Sequence, residues 1–392
     1  MKKAMVYLQS GGPTSVINTS LYGAIMEARK HPQEINAIYG SHYGVEGLIK
    51  DDLIDLTDIP EKKLSLLKQT PGSILGSSRH RLGEEDYEFI LHTVLKRNIG
   101  YIFVNGGNDS MDTSNKLGKY FASKGADVKV IGVPKTMDND LVNTDHTPGF
   151  ASSAKYVVNT VKSLVIDGSC YSEGKVILVE VMGRDSGWNA AAADVLEEPY
   201  RPDYIYFLEN HFNYPTYLKE IQKTKAKKGY CLCLVSEGIE LPRSSSTSDI
   251  DAFGHVNLEG ASYELAKRTK QDIGVNVRSI PLSIPTRCSP LLVSGVDQRE
   301  AFEVGAFAVL SALKGETRKM VSIVRDSSYP YRAHYELTPV EEVANSIKLI
   351  PQEFVVDHCR LSDSFRDYMK PLLEGDSDSV IEKNGIVESF RF

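Results

Sequence analysis

Long hydrophobic runs are missing from this chain. No apolar stretch in its 392 residues approaches the roughly 20 needed to cross a bilayer, so no membrane span is expected. The first residues, Met1-Lys-Lys-Ala-Met-Val-Tyr-Leu-Gln-Ser10, enter a strand pattern and a glycine pair without the apolar core and cleavage site of a signal peptide. Basic charge is also short. The 45 Lys and Arg face 52 Asp and Glu, leaving a net charge of −7. That balance removes any global electrostatic drive toward nucleic acid or an anionic membrane. The most basic run, Lys223-Thr-Lys225-Ala-Lys227-Lys228, reads as the solvated end of a helix. Cysteine is scarce, five in all, with no framework spacing. Cys231 and Cys233 share one face of a strand, where reduced buried thiols are a simpler reading than a metal site lacking its other ligands. The nine histidines include no pair four apart. A protein of the reducing cytoplasm is expected. No short fixed-period repeat is visible, which excludes solenoids and propellers.

What is present is one recurring unit. Short β-branched or aromatic runs end in glycine or polar residues and are followed by helical patterns. The strands expected are Met5–Leu8, Tyr101–Val104, Val130–Val133, Val176–Val181 and Cys231–Val235. Helical apolar spacing covers Thr19–Lys30, Asp86–Arg97, Tyr217–Lys225 and Ala301–Leu313. Continuous apolar strands alternating with helices predict parallel sheets covered on both faces. The length suits two or three domains at roughly 150 residues each. The fold class predicted is α/β, with two doubly wound Rossmann-like parallel-sheet domains and the active site between them. In such sheets ligands bind at the carboxyl ends of the strands. Pro242–Asp251, the low-complexity patch, reads as an exposed loop.

Five clusters fall at strand ends. Ser10-Gly-Gly-Pro-Thr-Ser15 lets backbone N–H groups approach a phosphate, or simply makes a tight turn; it is neither of the usual dinucleotide and P-loop fingerprints. Gly106-Gly107-Asn108-Asp109-Ser110 suits a phosphate chain with an oxygen-held Mg²⁺, or a helix cap. Pro134-Lys135-Thr136-Met137-Asp138-Asn139-Asp140 is the most demanding string. In an extended stretch Asp138 and Asp140 point the same way, so one accepts a hydroxyl proton while the other binds metal or fixes the loop. In Glu180-Val-Met182-Gly183-Arg184, the arginine can clamp a phosphate. Near Ser236-Glu237-Gly238, Glu237 can bind sugar hydroxyls, with Arg278 and Arg287 binding an anionic ester.

Taken in order, these strings resemble the phosphofructokinase family from near the N-terminus to about Arg287, while the final hundred residues match weakly. Ser10-Gly-Gly12 is similar to the family's first phosphate loop and Gly106–Ser110 to its GGDGS or GGDDS element. Pro134–Asp140 resembles P[GK]TIDND, Glu180–Arg184 resembles EVMGR, and Leu75-Gly-Ser-Ser-Arg79 resembles GSAR. The resemblance implies Mg²⁺-dependent phosphoryl transfer to the 1-hydroxyl of fructose 6-phosphate, a reversible glycolytic step. It implies residues 1–150 plus about 286–330 as the phosphoryl-donor domain, and 151–285 plus about 331–392 as the fructose 6-phosphate domain. Asp138 would be the general base, with Lys135 and Asp109 also catalytic. Gly12, Arg79, Asp109 and Lys135 would meet the donor. Thr136, Asp138, Met182, Gly183, Arg184, Glu237 and Arg287 would meet the sugar phosphate. Lys175 and Arg278 stand where family arginines reach the 6-phosphate across a subunit interface, which implies a homodimer or homotetramer.

For the donor, the resemblance favours pyrophosphate. Family members using ATP usually have glycine at the position of Asp109. A carboxylate there, in a poorly solvated site, would repel the α-phosphate by about 4 kcal/mol, roughly a thousandfold in affinity. Lys135, in place of a common glycine, would neutralise pyrophosphate. Asn108 stands where the family usually has a Mg²⁺-binding aspartate, so the metal residues implied are Asn108, Asp109 and Asp140, with the load shifting to Asp109, Asp138 or Asp140. Ile284 replaces a His or Tyr that touches the sugar phosphate. Tyr22 and Met26 replace effector-binding arginines, which implies an unregulated enzyme. An ATP-dependent phosphofructokinase and an inactive regulatory subunit are the competing expectations.

Overall fold

Strands form where the chain runs apolar, and their alternating side chains build two cores at once. The computed structural model describes residues 2–241, 260–375, 377 and 380–392; Pro242–Asp251, expected as an exposed loop, lies outside the described residues. A seven-stranded sheet contains β1 (Lys3–Gln9), β2 (Ile35–Ser41), β3 (Leu53–Asp55), β4 (Ile99–Gly106) and β5 (Lys129–Pro134). A four-stranded sheet contains β6 (Val176–Val181), β7 (Tyr204–Tyr206), β8 (Cys231–Ser236) and β9 (Val277–Pro281). The large sheet is completed by β10 (Lys319–Ser328) and β11 (Tyr331–Pro339), in the order β11-β10-β5-β4-β1-β2-β3. Its five central strands are parallel and both edge strands antiparallel. The small sheet, β7-β8-β6-β9, is wholly parallel.

Each sheet is buried on both faces, as the continuous apolar runs predict. Met5, Tyr7 and Phe103 pack with Leu21 and Ile25 of helix Ile17–Arg29 and Val304 and Ala308 of helix Gly295–Leu313. Val6, Leu8 and Ile102 face the other way, onto Ile90 of helix Glu84–Lys96 and Leu117 and Phe121 of helix Asn108–Ser123. In the small sheet Ile177 and Val179 pack on helix Phe150–Gly168. Val176, Cys231 and Cys233 pack on Tyr217 and Ile221 of helix Tyr214–Lys228. The two thiols are buried 3.6 Å apart, in accord with the reduced-thiol reading. Among the described residues no helix is long and apolar enough to cross a membrane.

The chain after Ser294 shuttles between the layers. Helix Gly295–Leu313, β10 and β11 lie with the large sheet, and Phe365, Met369 and Leu372 of helix Asp363–Leu373 enter the core of the small one. Phe390 then returns to the large layer, where Gln69 Nε2 donates to Ile381 O and Glu388 O. So β11 and Phe390 lie with the large sheet, although the expected division put the chain beyond about 331 in the second domain. The physical reason is pairing: β11 hydrogen-bonds β10 along nearly its whole length.

Between the layers lies a buried charge cluster. His146 is wholly buried between Asp145 Oδ1 (2.7 Å) and Glu300 Oε2 (2.5 Å), and Arg325 Nη2 lies 2.9 Å from the same Asp145 oxygen. Burial alone would lower the His146 pKa, but Glu300 and Asp145 lift it to about 9. Asp145, which burial alone would raise, is held at about 2 by His146 and Arg325. The stabilisation from a charged His146 is complete below its unfolded value of about 6.5 and is lost as pH rises through about 9. His146→Gln should therefore cost about 3–5 kcal/mol at neutral pH by leaving buried carboxylates uncompensated. It should also flatten the alkaline fall in Tm. Thermal melts from pH 6 to 10 check this; an alkaline fall identical in the variant would contradict it.

Candidate active site

The first glycine pair turns the chain at the end of β1, and two side chains tie its carbonyls down. Ser77 Oγ donates to Gly11 O (2.7 Å) and Lys135 Nζ to Gly12 O (2.5 Å). The end of β1 neighbours that of β4, where Gly106 and Gly107 lead into helix Asn108–Ser123. This is the point where the strand order reverses, the crevice favoured for ligands in open α/β sheets. Arg287 reaches the same loop from the segment after β9. Its Nη1 lies 2.8 Å from where a Cβ on Gly12 would stand. Arg287 thus borders the first loop, although sequence alone suggested only the sugar side.

Loop 135–149 carries the acids, and backbone bonds set its shape. Lys135 N donates to Gly106 O (3.0 Å), Thr136 N to Pro148 O (3.3 Å) and Asp138 N to Thr136 Oγ1 (3.1 Å). Asn139 has φ 53°, a left-handed conformation that asparagine tolerates better than most residues. The stretch expected to be extended therefore turns at Asn139. From the small domain, Ser186 Oγ donates to Asp138 O (2.6 Å) and Asn189 Nδ2 to Met137 O (2.7 Å).

Like charges crowd the loop. Burial raises the Asp138 pKa far above the carboxylate range, Asp140, Glu237 and Asp185 add to that, and Lys135 opposes it. Burial also raises Asp140, against a hydrogen bond from Thr136. Burial draws the Lys135 ammonium down to about 8, with Asp140 and Asp138 opposing and Arg287 adding. Asp138, Asp140, Glu237, Lys135 and Arg287 thus act on one another electrostatically across the two layers. Asp140 Oδ1 is buried with no hydrogen-bond partner among the described residues. An orphaned, buried carboxylate oxygen is a ligand that a hard cation such as Mg²⁺ can take, and Asp140 offers one.

At the end of β6, Gly183 N donates to Glu237 Oε1 (3.2 Å), so the EVMGR and Ser-Glu-Gly strings do meet. Gly183 has φ 147°, and a Cβ there would lie 2.6 Å from Ser186 O. Met182 and Arg184 flank it, both partly exposed. Glu180 is structural. Its carboxylate accepts from Gly260 N (3.1 Å) and Ser262 N (2.6 Å) and caps helix Ala261–Ile273.

Other expected residues stand apart. Arg79 is exposed in an irregular segment, and Asp109 is exposed in the first turn of its helix rather than poorly solvated. Asn108 spends both ends of its carboxamide elsewhere. Its Oδ1 accepts from Asn345 N (2.5 Å) and its Nδ2 donates to Ser346 O, so the carboxamide expected at the metal is engaged by residues 345 and 346. Lys175 and Arg278 are exposed at the start of β6 and β9, about 20 Å along the strands from Gly183.

Sequence reading missed Lys348, whose Nζ donates to Asn139 Oδ1 (3.0 Å), Thr144 O (3.1 Å) and Asp145 O (2.8 Å). It also missed Glu209, whose Oε1 accepts from Gly187 N (3.0 Å) and Ile350 N (3.1 Å). Neither lies in a glycine-rich or periodic string, so sequence offered no signal for them.

Comparison with known proteins shows the family and the fold. The phosphofructokinase family profile matches residues 4–310. The pyrophosphate–fructose 6-phosphate 1-phosphotransferase of Halomonas elongata is 36% identical, covering 97% of this chain and 94% of its own. The enzyme of that name from Methylococcus capsulatus is 34% identical, covering 94% and 91%. The crystal structure of a pyrophosphate-dependent phosphofructokinase from Marinobacter aquaeolei superposes with TM-score 0.90 at 34% identity, covering 100% of this chain and 96% of that one.

The approach of Arg287 to Gly12 can be tested. Gly12→Ala should push the guanidinium off the loop without disturbing the core, weakening inorganic phosphate binding about tenfold while Tm stays within a degree or so. Calorimetric titration showing unchanged phosphate affinity would refute the contact's role.

Proposed function

Because this chain belongs to the phosphofructokinase family, we propose that it transfers a phosphoryl group from pyrophosphate to the 1-hydroxyl of fructose 6-phosphate, giving fructose 1,6-bisphosphate and phosphate. The observation that carries the reading is the half-buried Asp138, whose charge the buried Lys135 ammonium opposes, where the glycine loops of one sheet meet the 183–237 pairing of the other. Asp138 accepts the hydroxyl proton as the oxygen attacks. Lys135 and Arg287 balance negative charge on the phosphates, and Gly12 leaves room for them. Glu237 and Arg184 orient the sugar phosphate, with Thr136 and Met182 beside it. Such transfer is mostly positioning and charge neutralisation. Mg²⁺, held by Asp140, would screen charge on the phosphate oxygens. Lys175 and Arg278 lie too far along the strands to serve their own chain's site, so they are assigned to a neighbouring subunit's sugar phosphate in a homodimer or homotetramer. The absence of arginines at Tyr22 and Met26 supports an unregulated enzyme, and the charge balance and lack of an apolar span support a cytoplasmic one.

A coupled assay with fructose 6-phosphate, Mg²⁺ and either pyrophosphate or ATP tests the donor directly. Equal kcat/KM for the two donors would sink the pyrophosphate reading. Asp109 is exposed, so its repulsion of an α-phosphate at 4 Å is about 1 kcal/mol, roughly fivefold, rather than a thousandfold. Bulk must supply the rest of the discrimination. Asp109→Gly should accordingly raise kcat/KM with ATP by about tenfold, and no gain would show that the side chain does not select the donor.

Asp138→Asn should cut kcat by about 10²–10⁴ with little change in sugar-phosphate binding. A base with a raised pKa loses activity as pH falls through that value. The acid limb of kcat/KM should therefore lie well above the usual carboxylate value of about 4, and Lys135→Met should move it higher by removing the opposing charge. A pH–rate profile with the limb near 4, or a limb lowered by Lys135→Met, would remove Asp138 from the role.

A further inference from the structure

A short stretch outside the family match bonds to three loops of the site. Residues 345–350 run from Asn345 to Ile350, beyond the profile's limit at residue 310. The stretch alternates: Ile347 and Leu349 face out, while Ser346, Lys348 and Ile350 face in. At its start, the Asn108 carboxamide pairs with Asn345 N and Ser346 O, fixing it to the glycine loop at the end of β4. At its centre, Lys348 N donates to Asp140 O (2.7 Å), and Lys348 Nζ donates to Asn139 and to two carbonyls farther along the acid loop. Trp188 Nε1 donates to Lys348 O (3.2 Å), and the ammonium lies 5.5 Å from the Trp188 ring centre, just past the 183–187 turn. At its end, Ile350 N shares Glu209 Oε1 with Gly187 N.

We infer that residues 345–350 form a strap that sets the register of three active-site loops, with Asn108 as its anchor and Lys348 as its positioning residue. The physical case is that these loops belong to two sheets. Backbone pairing fixes each loop within its own sheet but not across the cleft. Six residues bonded to all three remove that freedom, and no other segment of the described residues bonds to the 107–109, 138–140 and 187–188 loops together. Lys348 touches no reacting atom, so it acts through Asn139 and Asp140. The strap also accounts for Asn108. An amide can both accept from Asn345 and donate to Ser346, whereas an aspartate could only accept.

The inference rests on the proposed phosphoryl transfer only for its kinetic readout. Hydrogen–deuterium exchange on the full chain tests it independently. In Lys348→Met, peptides covering 107–112, 134–141 and 183–189 should all exchange about fivefold faster or more, while β1 and β4 stay protected. In the same variant kcat should fall about 10²-fold, with KM for both substrates within about threefold, a split that loss of substrate binding would not give, while a cooperative melt above the assay temperature excludes partial unfolding as its source. Asn108→Ala, at the other end, should produce the same three-loop pattern and serves as the deciding variant if Lys348→Met does not melt cooperatively. Faster exchange confined to 345–350, or in one loop alone, would overturn the strap. If wild type transfers no phosphoryl group while all three loops loosen together, the strap stands and the functional reading falls.

Discussion

Everything at the centre of this protein answers to one constraint: Asp138 and Asp140 are held two residues apart with little water to screen them. Desolvation pushes both toward protonation, Asp140 adding to the shift of Asp138 and Asp185 to that of Asp140, and the loop would relax by opening to solvent if it were free. It is not free. Thr136 bonds within the loop, Ser186 and Asn189 grip its carbonyls from the small layer, and Lys348 holds Asn139 from a third direction. Lys135 supplies a compensating charge while itself losing affinity for its proton through burial.

The two-sheet architecture follows from the same need. A single parallel sheet offers one crevice at its carboxyl ends, enough for one anionic ligand. Joining a second sheet so that the ends of β6 and β8 face those of β1 and β4 lets groups for two phosphorylated molecules converge on one loop. The joint is chemical as well as steric. Asp297, on the helix packed against the large sheet, accepts from Gly149 N and Ser152 N (both 2.9 Å) and thereby caps the helix packed against the small one. The His146 cluster lies beside it, so burial of charge marks the boundary where apolar packing alone would leave the layers free to slide.

The boundary also explains the behaviour of the C-terminal segment. Having little motif content, it supplies β11, then the 345–350 stretch, then helix Asp363–Leu373, then Phe390, touching each layer in turn. Arg325 stacks 4.3 Å from the Tyr368 ring centre, and Tyr368 Oη donates to Asp145 O, so this segment reaches the charged cluster from its far side.

By itself the sequence determined the alternation of strands and helices, the two-faced burial of the strands and the strings that bear charge at their ends. Each is a local property: apolar runs show the strands, and glycine beside a carboxylate shows a loop built for oxyanions. The pairing of Gly183 with Glu237, 54 residues apart, was suggested by chemistry and made real by adjacent strands. Other features were decided only by tertiary structure. The turn at Asn139, the exposure of Asp109, the diversion of Asn108 and the reach of Arg287 to Gly12 depend on which surfaces meet, and spacing along the chain does not encode that. Lys348 is the clearest case. A lone lysine between Ile347 and Leu349 has no local signature, because its partners at 139, 144 and 145 are some two hundred residues away and become neighbours only when the two sheets close on each other.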